Sequence, residues 1–455
     1  MPFILNTDKE ITPELIASYI KIHRDALSER YQKLQDYYEG RHDILKRKPR
    51  REDDPCNNIA VPFPKYITDM AAGYHIGEGV AYQSDEENLD DLNKLYKRAE
   101  VDVQDMDNAK YQSIYGVAYE IVYMSSDDSP TPKTASIHPS QAFVIYNSTV
   151  ELLPVAGVYY YEIHDKQTQA VNGFVVEATT ANAKIKFKAT KDYAIDGEVT
   201  AEANPFGMVT LIEIYNNDEK QGDFEQVIPL IDGYNKQQSN RVDDKENFVN
   251  SLMVLKGQTL GDTDGEKADT YRSIKENGVI ELTPDGDLSF LTRQGDAQGD
   301  DMLRQSLADD IHKFSYVPSF TDKDFAGNVS GVAMQFKLFG LNQLMKSKDR
   351  YTKEGLRYRI KLFSAIMQAK GMKPVDPASV NITITHSMPK NLQEIAQVIG
   401  SLEGVCSKET LVAQLPFVDD PEAEVKKADE ERQRLMDEQF VMASSKAAEM
   451  NENEE

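Results

Sequence analysis

The stretch that most constrains this chain runs from residue 317 to 370, where a polar, glycine-marked loop, VPSFTDKDFAGNVSG, leads into the longest helical pattern in the sequence. Asn328 and Ser330 stand just ahead of Met334, Leu338, Leu341 and Met345, whose spacing of four, three and four lays apolar side chains along one helical stripe. A helix is therefore expected to start near Ser330. The stripe resumes at Leu356, Ile360, Phe363 and Met367 and stops at Gly371, with Pro374 beyond. That predicts roughly 40 residues, about 60 Å at the standard rise. Gly340 and Gly355 lie inside it, and each predicts a bend or a close packing contact. Periodicity alone describes a core helix of a large α domain, but charge adds to this. Between Ser330 and Lys370 stand nine Lys or Arg against two acids, Asp349 and Glu354, in a chain of net charge -25. A basic helix in an acidic chain faces acids or phosphate.

At 455 residues, with 40% hydrophobic content, 23 Tyr and 17 Phe, the chain has room for two or three domains with filled cores. Its two cysteines, Cys56 and Cys406, are far apart and exclude a paired-cysteine metal site; reduced thiols in a cytosolic setting are expected. The apolar run Phe3 to Leu5 is too short for a signal peptide, and nothing approaches the roughly eighteen apolar residues of a membrane span. The acidic balance argues against tight wrapping of DNA, whose nonspecific affinity comes from Lys and Arg neutralising phosphates. A loose, sliding contact remains open.

Taken in order, residues 12 to 39 predict a helix, with Thr12 as cap, Pro13 in the first turn and Gly40 closing it. The run Arg41 to Arg51 holds six Lys or Arg and reads as a solvated loop, with nucleic-acid contact as the alternative. A helix over Tyr66 to Tyr74, two helices within 85 to 115 and a strand over Glu120 to Met124 follow. From 134 to 215 the pattern turns to β-rich runs, AFVIYN, VAGVYYYEIH, GFVVEAT, AKIKFKA and MVTLIEIYN, so residues 1 to 225 read as a mixed domain with helices first and sheet after. Residues 226 to 250 predict a helix with few apolar positions beyond Ile228, Ile231, Val242 and Phe248, too polar to be buried in its own domain. A small insertion, 251 to 297, combines the strand SLMVLKG, a loop, a short helix around Tyr271 to Glu276, and the strands GVIEL and DLSFL about a turn at 283 to 286. A second polar helix spans 299 to 316. Beyond the long helix, 380 to 386 alternates as a strand and 391 to 414 returns to helix. From Phe417 to Glu455, thirteen acids against five Lys or Arg predict helix and then a disordered tail.

Catalytic signatures are lacking. No GxSxG, GxxxxGK[ST], HExxH or zinc-type cysteine spacing occurs, and the seven histidines show no metal or triad spacing. Asp262 and Asp264 lack the further ligands of a calcium loop. The adjacent carboxylates Asp243–Asp244, Asp300–Asp301 and Asp309–Asp310 fall on helices, where consecutive residues diverge, so each pair is a poor bidentate site. The chemistry leans to a structural or binding protein with no cofactor and no metal.

The order of parts resembles the portal proteins of tailed bacteriophages, of the type carried by long-tailed phages of Gram-positive hosts, over nearly the whole length. The most specific piece is FAGNVSGVAMQFKLFGLNQLMKSKDRYTKEGLRYR, residues 325 to 359, similar to the family's tunnel loop and following helix. NNIAVPFPKYITDMAAGYHIG, YGVAYEIVY, IDGYNKQQSNRVDD and the segment from THSMPKNLQ to FVDDPEAE support it in the family's order. The resemblance implies an α+β portal fold: wing 1–225, stem helices 226–250 and 298–316, clip 251–297, tunnel loop 317–329, long helix and return to the wing 330–390, and crown with acidic tail 391–455. It implies a homo-oligomeric ring, usually of twelve, at one capsid vertex, through which double-stranded DNA passes irrespective of sequence. Expected partners are the terminase, a head-tail adaptor, and capsid and scaffolding proteins, with assembly in the bacterial cytoplasm and no membrane. Phe320, Thr321, Asp322, Lys323, Asp324, Phe325, Ala326, Gly327, Asn328 and Val329 would project into the channel, and Lys337, Lys346 and Lys348 are candidates for channel or inter-subunit contacts. The competing readings are a metal-dependent enzyme acting on phage DNA and a capsid adaptor or scaffolding protein.

Overall fold

Helix α1 (Pro13–Tyr38) begins as its sequence dictates: the Thr12 hydroxyl accepts the Leu15 N–H at 3.3 Å, Pro13 occupies the first turn, and Gly40 follows the end at φ +84°. The structure, a computed structural model, describes the chain apart from residues 1–2, 6–9, 53, 166, 169, 250–251, 257–260, 278–286, 292–296, 321–330, 388–391, 416–417, 419–420 and 453–455. It divides into two units, 1–319 with 340–387, and 320–339 with 388–455.

In the first unit, strand β1 (Phe3–Leu5) precedes α1, and helix α2 (Phe63–Ile76), strand β2 (Val80–Gln83), and helices α3 (Asp90–Ala99) and α4 (Val101–Tyr115) follow. Then come β3 (Val117–Met124), β4 (Pro132–Ile137), β5 (Ala142–Asn147), β6 (Pro154–His164), β7 (Val171–Thr180), β8 (Ala183–Thr190), β9 (Ile195–Ala203) and β10 (Leu211–Tyr215). Helix α5 (Ile228–Val249), strand β11 (Leu252–Lys256), helix α6 (Asp264–Asn277), strand β12 (Asp287–Leu291) and helix α7 (Ala297–Ser315) complete the first pass. After α8 (Gly331–Lys337) of the second unit, the chain returns with α9 (Phe339–Ala369) and β13 (Asn381–Ile384). The second unit continues with α10 (Leu392–Leu402), α11 (Lys408–Val412) and the long acidic α12 (Pro421–Glu452).

Two hydrophobic layers organise the first unit. A six-stranded sheet, β1-β5-β6-β7-β8-β9, buries Phe143, Val158, Phe174 and Phe187 beneath Ile16, Ala17 and Ile20 of α1. Each such side chain contributes about 1.5–3 kcal/mol when taken from water. A three-stranded sheet, β10-β3-β4, carries α3 and the second half of α9, with Ile212, Ile214, Tyr96, Ile360, Phe363 and Met367 in one core. The predicted strand at 380–386 is β13, which pairs antiparallel with β2, Ile384 opposite Val80, and so ties the chain after α9 to the chain after α2. β11 and β12 pair antiparallel within the insertion. The turn at 283–286 and all of GVIEL lie outside the described residues.

The structure differs from expectation in several places: 391–414 holds two helices rather than one, α12 continues to Glu452 where a disordered tail was expected, and four further differences have a plain physical reason. The long helix is two: Leu338 separates α8 from α9, one residue before the exposed Phe339 and two before Gly340. Gly355 instead supplies close packing, because a Cβ there would lie 2.7 Å from Cγ1 of Ile214. Helix α6 starts earlier than predicted, at Asp264, because Thr263 and Glu266 form a reciprocal cap: Thr263 Oγ1 accepts the Glu266 N–H, and Glu266 accepts the N–H groups of Asp262 and Thr263. Strand β9 escaped notice because it is an exposed edge strand rich in acids, with no apolar alternation to read.

The fourth difference concerns α5, whose inner face is buried by polar groups. Asn235, Ser239 and Asp243, spaced one helical turn apart, are at most 5% exposed. They accept the N–H groups of Val61, Ile59 and Asn57 at 2.9, 3.0 and 2.6 Å. The match is geometric: four helical residues rise about 6 Å and two extended residues about 6.6 Å, so the helix face serves as the missing edge of a β-ladder.

Candidate functional site

Phe320 is half-buried at the end of the first pass, and residues 321–329 of the expected channel loop lie outside the described residues. What can be built is α9, which follows α8 after this segment, and the way the first unit holds it. Phe336 and Phe339, near the break, are 76% and 60% exposed.

From Leu341 onward α9 is anchored at successive turns. Asn342 accepts the hydroxyl of Tyr74, and Lys348 donates to Asp223 at 2.7 Å with both side chains fully buried. The Thr352 hydroxyl meets the Gln112 amide, Gly355 presses on Ile214 of β10, and one further turn on stands Arg359. Its guanidinium, with no exposed surface, donates from Nε to Glu120 at 2.7 Å and from one terminal nitrogen to Glu120 and Asp105, each at 2.5 Å. Burial by itself lowers the Arg359 pKa, but Asp105 and Glu120 outweigh it and hold the group charged. The two carboxylates are not equivalent. Both oxygens of Glu120 are satisfied, the second also by Asn108, whereas Asp105 keeps one buried oxygen without a partner and burial pushes its carboxyl up.

Asp349, on the turn of Lys348, lies 3.1 Å from Nε2 of His75 and 3.2 Å from Nε2 of His386. Burial raises its pKa, but the two imidazoles outweigh this and bring it to about 2. His386 and the Ser387 N–H, which is bonded to the Tyr74 carbonyl, end the first unit. Two of the nine bases, Lys348 and Arg359, therefore face acids, and those acids belong to the same chain. Of the three lysines singled out, Lys348 is buried in that pair, Lys337 is half-buried and Lys346 is exposed. Arg359, Asp105, Glu120 and Asp223 were missed, because periodicity cannot tell which cation of a basic helix turns inward.

The remaining candidates disperse. Asp243 is taken by Asn57 and Arg47, Asp300 accepts the Gln237 amide, and Asp301 meets Arg241 and Arg304. Among the described residues no group of three His, Cys, Asp or Glu is placed to hold a metal ion, and no helix is long and apolar enough to cross a membrane. Cys56 and Cys406 are free thiols.

A sequence model of the family described as phage portal protein, SPP1 Gp6-like, matches residues 17–438. The chain is 25% identical to the portal protein of Bacillus phage SPP1 over 397 residues, covering 84% of this chain and 77% of that protein. It is 23% identical to the portal protein of Clostridium phage phiCD119 over 410 residues, covering 85% of this chain and 89% of that one.

Proposed function

Because the chain belongs to the SPP1 Gp6-like family of phage portal proteins, structural components of the capsid vertex that form a ring for DNA passage and dock the packaging motor, we propose that residues 320–329 form its moving contact with DNA. Membership in a structural family sets aside the nuclease reading. The observation that carries the proposal is the anchorage of α9. Two fully buried ion pairs and a glycine contact fix α9, the helix that follows the loop after α8, which supports a loop that moves while α9 stays fixed.

In this reading residues 1–225 are the wing, α5 and α7 the stem, 251–297 the clip that receives the terminase and the head-tail adaptor, and 391–455 the crown. Twelve copies assemble in the host cytoplasm with scaffolding and capsid proteins. The acidic balance suits a channel that lets duplex DNA slide, since a wall of Lys would hold phosphate. Lys323 is the one basic residue of the loop.

The test is Gly327→Pro in the phage. The variant ring is expected to enter capsids normally, with the yield of DNA-filled heads falling at least tenfold. Normal filling would overturn the moving loop.

A further inference from the structure

The two flanks of α5 carry opposite charge. On one face of the helix, Gly233 lies against Leu307, Gln237 donates to Asp300 and Arg241 pairs with Asp301, all of α7. On the other, Asn235, Ser239 and Asp243 hold residues 57–61, and Asp243 also takes Arg47. Residues two apart on a helix are turned by about 200°, so α7 and the basic loop lie on opposite sides of α5.

The loop side is positive. Of its six bases, Arg41, Lys46 and Arg47 are used by Asp36, Asp43 and Asp243, whereas Lys48, Arg50 and Arg51 are exposed with no ion pair among the described residues. Leu45 beside them is 46% exposed. The α7 side is negative and apolar. Met302, Leu303 and Phe314 are 74%, 48% and 53% exposed, and Asp309 and Asp310 between them meet no cation among the described residues.

We propose that the loop Leu45–Arg51 of one subunit docks on the outward face of α7 of the next. The proposal rests on the ring reading and names its contact. A closed ring needs a heterologous interface, two different complementary patches on opposite sides of one subunit, and these flanks supply them. In a chain of net charge -25, such a contact also offsets the repulsion between like subunits. Leu45 meets the exposed Phe314, one helical turn from Asp310, while Lys48, Arg50 and Arg51 meet Asp309 and Asp310.

The experiment uses the full chain with Cys56→Ser and Cys406→Ser, carrying Arg50→Cys and Asp310→Cys together. Mild oxidation of assembled rings is expected to give a ladder of covalent multimers on denaturing gels, and Arg50→Cys with Lys94→Cys is expected to give none. A second arm reverses charge. Lys48→Glu, Arg50→Glu and Arg51→Glu together should raise the concentration for half-assembly by about tenfold or more. Adding Asp309→Lys and Asp310→Lys should restore assembly. Lys94→Glu, Lys97→Glu and Arg98→Glu, an equal change on α3, should leave assembly unaltered. Rings that form without the ladder and ignore the first reversal would overturn the contact. Failure of the unsubstituted protein to form rings by light scattering would overturn the ring premise, and the contact with it.

Discussion

Arg359 carries a charge that no water touches, shared between two carboxylates that stay balanced only while it is present. Truncation leaves them buried together, so Arg359→Ala is expected to cost about 3–5 kcal/mol in denaturant unfolding. Glu120→Gln should approach that loss. Asp105→Asn should cost clearly less, because one of its oxygens already lacks a partner. Lys346→Ala, at an exposed position of the same helix, should stay within about 0.5 kcal/mol. His23 is the plainest proton-linked residue. Its Nδ1 lies 3.0 Å from the Tyr160 hydroxyl, which itself donates to the Ser140 carbonyl, so the ring is the donor in that bond. Burial lowers its pKa from 6.5 to about 4. Between those values the unfolded chain binds a proton that the folded chain does not, so stability falls as pH drops through the window. The slope from this residue is up to about 1.4 kcal/mol per unit. Unfolding midpoints for His23→Phe across that range should lose this part of the slope.

At the scale of elements, the contact between α9 and β10 is set by the absence of a side chain. Gly355→Ala places a methyl group within 2.7 Å of Ile214 Cγ1 and is expected to destabilise by about 1–3 kcal/mol. Ile214→Ala in the same chain should relieve much of the strain, measured as a non-additive double-mutant cycle. In the polar clasp, Ser239→Ala strips the Ile59 N–H of its acceptor and should cost about 1–3 kcal/mol, with faster amide exchange over 57–61 as the specific sign. These elements also mark how far the sequence could be read. The strands at 142–147, 155–164 and 173–179 announced themselves as short runs rich in β-branched and aromatic residues set off by turn residues. Strand β1 is three residues long, β9 is exposed on both faces, and the helix break at Leu338 falls inside an unbroken apolar stripe, so none left a periodic trace. Asn235, Ser239 and Asp243 read as a solvated face because a polar stripe carries the same letters whether it meets water or backbone.

For the whole molecule, the opposing demands are to guide a polyanion and not to hold it. The purified ring should bind a short duplex no more tightly than about 10⁻⁴–10⁻⁶ M at physiological salt, with a shallow salt slope, as read by fluorescence anisotropy. Tight, steeply salt-dependent binding would mean that the cations of the long helix reach the channel rather than their own carboxylates. The clasp on α5 also has a mechanical meaning. Two greasy surfaces can creep past one another by fractions of an ångström at little cost. A helix indexed by three directional bonds to the amides of residues 57, 59 and 61 has no intermediate position to rest in. It stays in its notch or gives up all three bonds at once, so the clasp works as a detent against sliding of α5 along its own axis.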